Sequence, residues 1–402
     1  MDRIFYSASV HDEAEINAVV EVLRSGPQGL WPGKRVTAME RETAKLFGKN
    51  RGVMVNSGSS ALYLAFELLN LPKGSEVITP AVVFSTDVAP AVRAGLIPVF
   101  VDVEPDTYCI DASKIEAAIS PKTKAIIGVN LAGNLPDWDA IRKIADKHNL
   151  KVIEDSCDSL GPTFHGTPTG LRSDLTVTSF ANSHVITAGG SGGMLCLNDD
   201  DLRDRAVLLR RWGRRSELHY YGSKKKNHNF WEELDGIHYD NQFIFDELAW
   251  NFEPSEMGAA FGLEQLKKLP NNWARRQRNF KLYTKFFKQY ENLFVLPREL
   301  PGANTVWLGF LLTIRPDAGF QRGHMQEYLD SHEVDTRTIW SGNVVRQPMM
   351  KNQMCRIAPD GLGHADAIME RGVMLPLSHA LQDEHVAHVC NQVTAFLKSR
   401  GK

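Results

Sequence analysis

Three stretches of this 402-residue chain put chemically competent side chains beside glycine-containing turns. In VNSGSSALYLAF (55–66) a strand ends at Asn56, Gly58 permits a tight turn, and Ser59 and Ser60 open a helix. The free N–H groups and positive dipole of a helix start suit a phosphate, although Gly-Ser turns before helices are also common without a ligand. In VIEDSCDSLG (152–161) Glu154 and Asp155 close an apolar strand, so one carboxylate reaches its end. There it could hold a protonated ring nitrogen or simply cap a helix or pair with a loop cation. In TSFANSHVITAGGSGGMLCLND (178–199) a strand runs into a turn carrying Ser179 and His184, followed by AGGSGG. A histidine there is either a structural residue or a group that exchanges protons near neutral pH.

These residues need a frame that collects strand ends. Short apolar runs at 52–56, 76–80, 97–103, 124–130, 150–156, 175–180 and 193–198 alternate with helical patterns such as 60–69 and 137–149. Continuous apolar strands separated by helices predict an α/β domain whose mainly parallel sheet is covered on both faces. Such sheets bind ligands at the carboxyl ends of their strands. Beyond about residue 255 a long helical segment leads to VWLGFLLTI (306–314), a helix around 321–332, GVMLPL and a final helix from Asp383. This reads as a smaller α+β domain. The expected division is an N-terminal segment 1–34, a large domain 35–275 and a small domain 276–402. The stretch 214–245 is long, polar and aromatic, and loops of that length are functional or disordered. Its Lys224–Lys226 run reads as solvated surface.

Composition limits the function classes. Apolar residues make up 43%, charged residues 23%, and the net charge is −2. Nothing favours nucleic acid or an anionic membrane as partner. No run approaches the roughly 18 apolar residues that span a bilayer, and the N-terminus lacks a secretory pattern, so a cytoplasmic location is expected. Cys109, Cys157, Cys196, Cys355 and Cys390 are too scattered for a disulfide framework or a metal motif and read as small core residues.

In order and spacing, VNSGSSA, VFVDV, EDSCDSLG, RRWGR, NFEPSEMGAAFGLEQL and SGNVVRQP resemble the sugar aminotransferase/dehydratase family of fold-type I pyridoxal-phosphate (PLP) proteins. Within it they are most similar to the nucleotide-4-keto-6-deoxyhexose 3-dehydratases. The resemblance runs from about residue 3 to 395 and implies a fold-type I, aspartate aminotransferase-like architecture. It places the cofactor phosphate on Gly58, Ser59, Ser60 and Ser179, and the ring against Phe84, whose other reading is core packing. It sets the pyridine nitrogen on Asp155 and the phenolic oxygen near Asp158. It brings Asn251 to the phosphate of a neighbouring subunit, hence a homodimer with shared active sites. Arg337, Trp340, Asn343 and Arg346 fall in a family segment near sugar and nucleotide; an arginine there clamps a diphosphate or forms a salt bridge.

The family's aminotransferases carry their covalent lysine four residues after the Phe of an SF pair. Here Ser179-Phe180 is followed by His184. Imidazole cannot make that bond, so the resemblance implies a non-covalently held pyridoxamine 5′-phosphate (PMP) and loss of the sugar C3 hydroxyl, with His184 as general base. An atypical amino transfer and a catalytically inactive partner subunit are the alternatives. Some relatives carry an iron–sulfur cluster after the RxWGR segment, but this chain has no cysteine between Cys196 and Cys355. The implied route is therefore metal-free, with glutamate regenerating PMP, in the biosynthesis of O-antigen or glycoside deoxysugars. Three departures stand out: AGGSGG replaces a GEGG, Glu253 replaces a basic or neutral residue, and 214–245 lacks iron–sulfur chemistry.

Overall fold

The structure is a computed structural model that describes residues 2–224 and 230–402. Lys225 and Lys226 of the lysine run lie outside the described residues. Seven strands of the large sheet come from the first half of the chain: β1 (Arg51–Val55), β2 (Glu76–Pro80), β3 (Ile97–Val101), β4 (Thr123–Val129), β5 (Lys151–Asp155), β6 (Leu175–Ser179) and β7 (Gly193–Leu197). The C-terminal part contributes β8 (Phe294–Val295), β9 (Gly309–Ile314), β10 (Arg356–Ile357) and β11 (Gly372–Pro376). The large sheet runs β1-β7-β6-β5-β4-β2-β3-β10. Only β7 is antiparallel to its neighbours β1 and β6; the remaining pairs are parallel.

Near-complete burial of the central strands explains why even their polar positions are mostly small or β-branched: β2 (EVITP) and β6 (LTVTS) are buried at every position. Helices cover the faces, and two of them show how side chains cap their starts. Ser57 accepts from the Ser60 N–H at the head of helix Gly58–Leu69, and Asp137 accepts from Ala140 at the head of Trp138–Lys147. A helix of 32 residues, Glu256–Phe287, capped by Ser255, continues from the large sheet into the C-terminal part. There β8, β9 and β11 form an antiparallel sheet. Phe287 and Phe310 stack 5.3 Å apart within one apolar cluster that spans both sheets.

Two features position the site without any sequence periodicity to announce them. The N-terminal segment is held by a bridge between Ile4 and Val334, and a bridge between Val82 and Asn343 joins the end of β2 to the loop 337–348. Within 214–245 lie a short helix, Glu217–Tyr220, and a hairpin, Trp231–Leu234 with Ile237–Asp240. Its turn is Asp235-Gly236, both at positive φ, the backbone that a two-residue hairpin requires.

Candidate active site

The carboxyl ends of β1, β4, β5 and β6 open into a cavity of about 740 Å³, well sized for a small-molecule site. Gly58, Ser59, Phe84, Asp155, Asp158, Ser179, His184, Arg337 and Trp340 line it together.

At the end of β1 the chain turns at Ser57 into helix Gly58–Leu69. Gly58 is required by space: a Cβ there would lie 2.7 Å from Ser179 Cβ and 2.8 Å from Cys157 Sγ. The helix start and Ser179 thus face each other across a gap that any side chain would fill, a cradle for a phosphate. Ser59 Oγ donates to Thr86 Oγ1 at 3.2 Å, while Ser60 Oγ donates to Asn56 Oδ1 at 2.6 Å. Ser60 stays buried outside the cavity lining and fixes the turn. Phe84 is 54% exposed, so its ring faces the cavity mouth and core packing does not explain it.

Strand alternation separates the two acids of β5. Glu154 points away from the cavity and accepts from Thr169 Oγ1 (2.5 Å), Asn130 Nδ2 (3.0 Å) and Thr176 Oγ1 (3.2 Å). Asp155 faces the cavity and accepts from the Cys157 N–H at 2.8 Å. Cys157, expected as a core residue, lines the cavity as well.

His184 is largely buried, with Nδ1 unpartnered and Nε2 4.0 Å from Asp158 Oδ1. Burial pushes the imidazole down to about 4, against opposing pulls from the Ser179 backbone and then the Asp155 charge. Burial and then the Asp155 charge push Asp158 up to about 8; an N–H from Ala132 at 2.9 Å opposes this in part. At 4.0 Å the two groups are too far apart for a hydrogen bond, and at neutral pH both are uncharged. The contact is therefore a neutral base beside a neutral acid and not an ion pair.

The opposite wall comes from the C-terminal part. Arg337 lies over the Tyr6 ring at 4.5 Å and pairs with Asp335; Tyr6 also lines the cavity. Trp340 sits at φ 42° and Gly342 at φ 60°, which bend the loop so that Ser341 Oγ donates to Val83 O. Asn343 and Arg346 do not reach the cavity. Both bind Asp366, Asn343 Nδ2 at 2.7 Å and Arg346 Nη2 at 2.7 Å. Asn251 lies in a second, more open pocket with Asn56, Arg211 and Glu253. The unexpected Glu253 pairs there with Arg211 Nε at 3.3 Å.

Sequence reading missed Tyr6, Asp87 and Gln347, all of which line the cavity. Only Asp87 carried a signal, as an acid three residues after Phe84 in the turn following β2.

The model of the DegT/DnrJ/EryC1/StrS aminotransferase family matches residues 9–394. The chain belongs to this family. It is 34% identical over 401 residues, covering 97% of this chain and 86% of the relative, to a dTDP-4-dehydro-2,6-dideoxy-D-glucose 3-dehydratase of Saccharopolyspora spinosa. It is 33% identical to the lipopolysaccharide biosynthesis protein RfbH of Salmonella typhimurium, covering 97% and 91% of the two chains. Among solved structures it superimposes on a GDP-4-keto-6-deoxymannose-3-dehydratase with a trapped PLP-glutamate geminal diamine. The TM-score is 0.85 at 28% identity, with 96% of this chain and 99% of that one covered. Family and fold-type I architecture, as the resemblance implied, both hold.

Proposed function

We propose that the chain is a PMP/PLP-dependent 3-dehydratase that removes the C3 hydroxyl of a nucleotide-linked 4-keto-6-deoxyhexose. The observation that carries the reading is His184 in the cavity, at the position where an amine would tether the cofactor, with no lysine among the described residues that line it. The relatives' names supply the substrate class, and the glutamate-bearing neighbour supports glutamate as amino donor.

The residues present fit the cofactor. The Gly58 cradle, Ser59 and Ser179 would hold its phosphate, Phe84 would lie against the ring, and Asp155 would meet the ring nitrogen. When bound, the ring supplies the electron sink that lets a C–O bond break at the adjacent sugar carbon. His184, uncharged near neutrality, accepts a proton on an imidazole nitrogen. Asp158, whose carboxyl burial pushes up to about 8, favours its neutral form beside His184 and so leaves the base unneutralised. Arg337 and Trp340 orient the nucleotide-linked sugar, and Arg346 and Asn343 anchor their loop through Asp366. The apolar lining supplied by Leu131, Val129 and Met374 limits water at the reacting carbon.

Spectra of the purified protein with PLP and glutamate test this. The aldehyde-form absorption converts to the pyridoxamine form, and borohydride traps no lysine adduct. Incubation with GDP-, CDP- and dTDP-linked 4-keto-6-deoxyhexoses then releases ammonia only when glutamate is supplied, in step with a 3-deoxy-4-keto sugar. A borohydride-stable cofactor–lysine bond would overturn the reading.

A further inference from the structure

The N-terminal segment reaches the cavity through Tyr6, a half-buried residue to which the dehydration assigns no part. Residues 4–7 are tied at both ends. Ile4 donates its N–H to Glu333 O at 2.8 Å and accepts the Asp335 N–H at 2.9 Å. Ser7 Oγ donates to Ser183 O at 2.7 Å, one residue before His184. Between these ties the Tyr6 N–H donates to Asp335 Oδ2 at 3.3 Å. The other oxygen of Asp335 accepts from Arg337 Nη1, which also donates to Thr336 O at 2.8 Å. The guanidinium carbon of Arg337 lies 4.5 Å from the centre of the Tyr6 ring. One carboxylate, on a residue only 5% exposed, thus holds the backbone of Tyr6 and the head of Arg337 together.

These contacts leave part of the guanidinium free. Nη1 is committed and the aromatic ring lies against the group, but Nε and Nη2 donate to nothing among the described residues. Guanidinium N–H bonds lie in the plane of the group, and Nε with Nη2 makes a fork that fits two oxygens of one oxyanion. A long arginine stem loses rotamer freedom when a ligand fixes its head; a head already fixed loses less. Position selects the ligand. The Arg337 side chain is 49% exposed against 16% for His184, so it stands toward the open side of the cavity and the base toward its floor. In a nucleotide-linked sugar the diphosphate lies between the sugar ring, which must reach His184, and the nucleoside, which trails toward solvent.

We propose that Tyr6 is a positioning residue: its ring and backbone N–H fix Arg337 so that the Nε–Nη2 fork binds the diphosphate of the nucleotide-linked sugar. The ligand rests on the nucleotide-sugar reading, whereas the positioning rests on the Tyr6–Asp335–Arg337 contacts alone.

A double-substitution cycle separates this from a packing role. Calorimetry measures binding of GDP, CDP and dTDP to the cofactor-loaded enzyme, and melting curves check that each variant folds. Tyr6→Leu should weaken the nucleoside diphosphate that wild type prefers by about threefold to tenfold, the scale of one cation–π contact. Tyr6→Phe, which keeps the ring, should recover most of that loss. In an Arg337→Gln background, Tyr6→Leu should cost no more than about twofold further, because its effect runs through the guanidinium. Losses that add in full overturn the positioning role. Glutamate offers a two-oxygen carboxylate as well, so its conversion of the bound cofactor is followed by absorption and should change less than about twofold in Tyr6→Leu. A loss confined to that step would give the fork to the amino donor and overturn the assignment. A wild type that binds no nucleoside diphosphate overturns it too. Binding that follows the cycle without any dehydration would uphold the role of Tyr6 and sink the dehydratase reading.

Discussion

His184 and Asp158 reverse the usual assignment of charge between a histidine and an aspartate. With one pushed down to about 4 and the other up to about 8, the uncharged form of each is favoured between those values. A base and an acid therefore coexist 4.0 Å apart without cancelling. The sign of each shift can be read in stability. The histidine binds its proton less readily when folded, so cofactor-free protein should lose stability as pH falls from the unfolded value of about 6.5 toward 4. His184→Gln should flatten that acid limb of the melting curve. The aspartate binds its proton more readily when folded, so its contribution is present at acid pH and fades as pH climbs toward 8; Asp158→Asn should remove that decline. For turnover, His184→Gln should lower kcat by roughly 10²- to 10⁴-fold with cofactor still bound. An acid limb and a turnover rate that are both unchanged would show that His184 is neither buried base nor catalyst.

At the scale of elements, the site is a set of strand ends, and this is why much of it was legible. Strands buried on both faces are rich in apolar and β-branched residues, so β1 to β7 appear as short runs of that composition and the residues after each run mark the ligand edge. The direction of β7 was not legible, because a buried antiparallel strand and a buried parallel one have the same composition. The two-residue strand β10, the bridge that delivers Tyr6, and the loop turn at Trp340 leave no periodic trace at all. The Asp235-Gly236 hairpin did leave one, in the turn chemistry of two adjacent residues. Gly58 tests the element-level logic. Gly58→Ala would drive a methyl against Ser179 and Cys157 across the β1–β6 gap. It should destabilise the protein by about 1–3 kcal/mol in equilibrium unfolding, and weaken binding of the cofactor phosphate beyond that loss. An alanine variant with unchanged cofactor affinity would mean that the phosphate lies elsewhere.

For the whole molecule, the informative feature is surface that a monomer leaves uncovered. Leu248 is 98% exposed, and Leu30, Trp31, Phe243, Phe245 and Trp250 are exposed beside it in sequence or across the second pocket. Trp250 stacks on Phe252 at 5.3 Å and Arg211 lies over Trp31 at 5.6 Å, so these rings form an ordered surface. Exposed apolar groups of this size, rimmed by polar residues, mark an interface. Asn251 sits within it, next to the Arg211–Glu253 pair and outside its own chain's cavity, its Oδ1 accepting the Glu253 N–H at 3.1 Å. A homodimer that lends Asn251 to the partner's cofactor phosphate accounts for both facts. Sedimentation should therefore find a dimer at micromolar concentration, and Leu248→Asp should shift it toward monomer. If Asn251 serves the partner, the same substitution should weaken cofactor binding about tenfold or more, by loss of a hydrogen bond to a charged group, although Leu248 touches neither phosphate cradle nor ring site. A monomeric wild type, or a monomeric variant with full cofactor affinity, would leave each chain with a self-sufficient site and Asn251 without a function there.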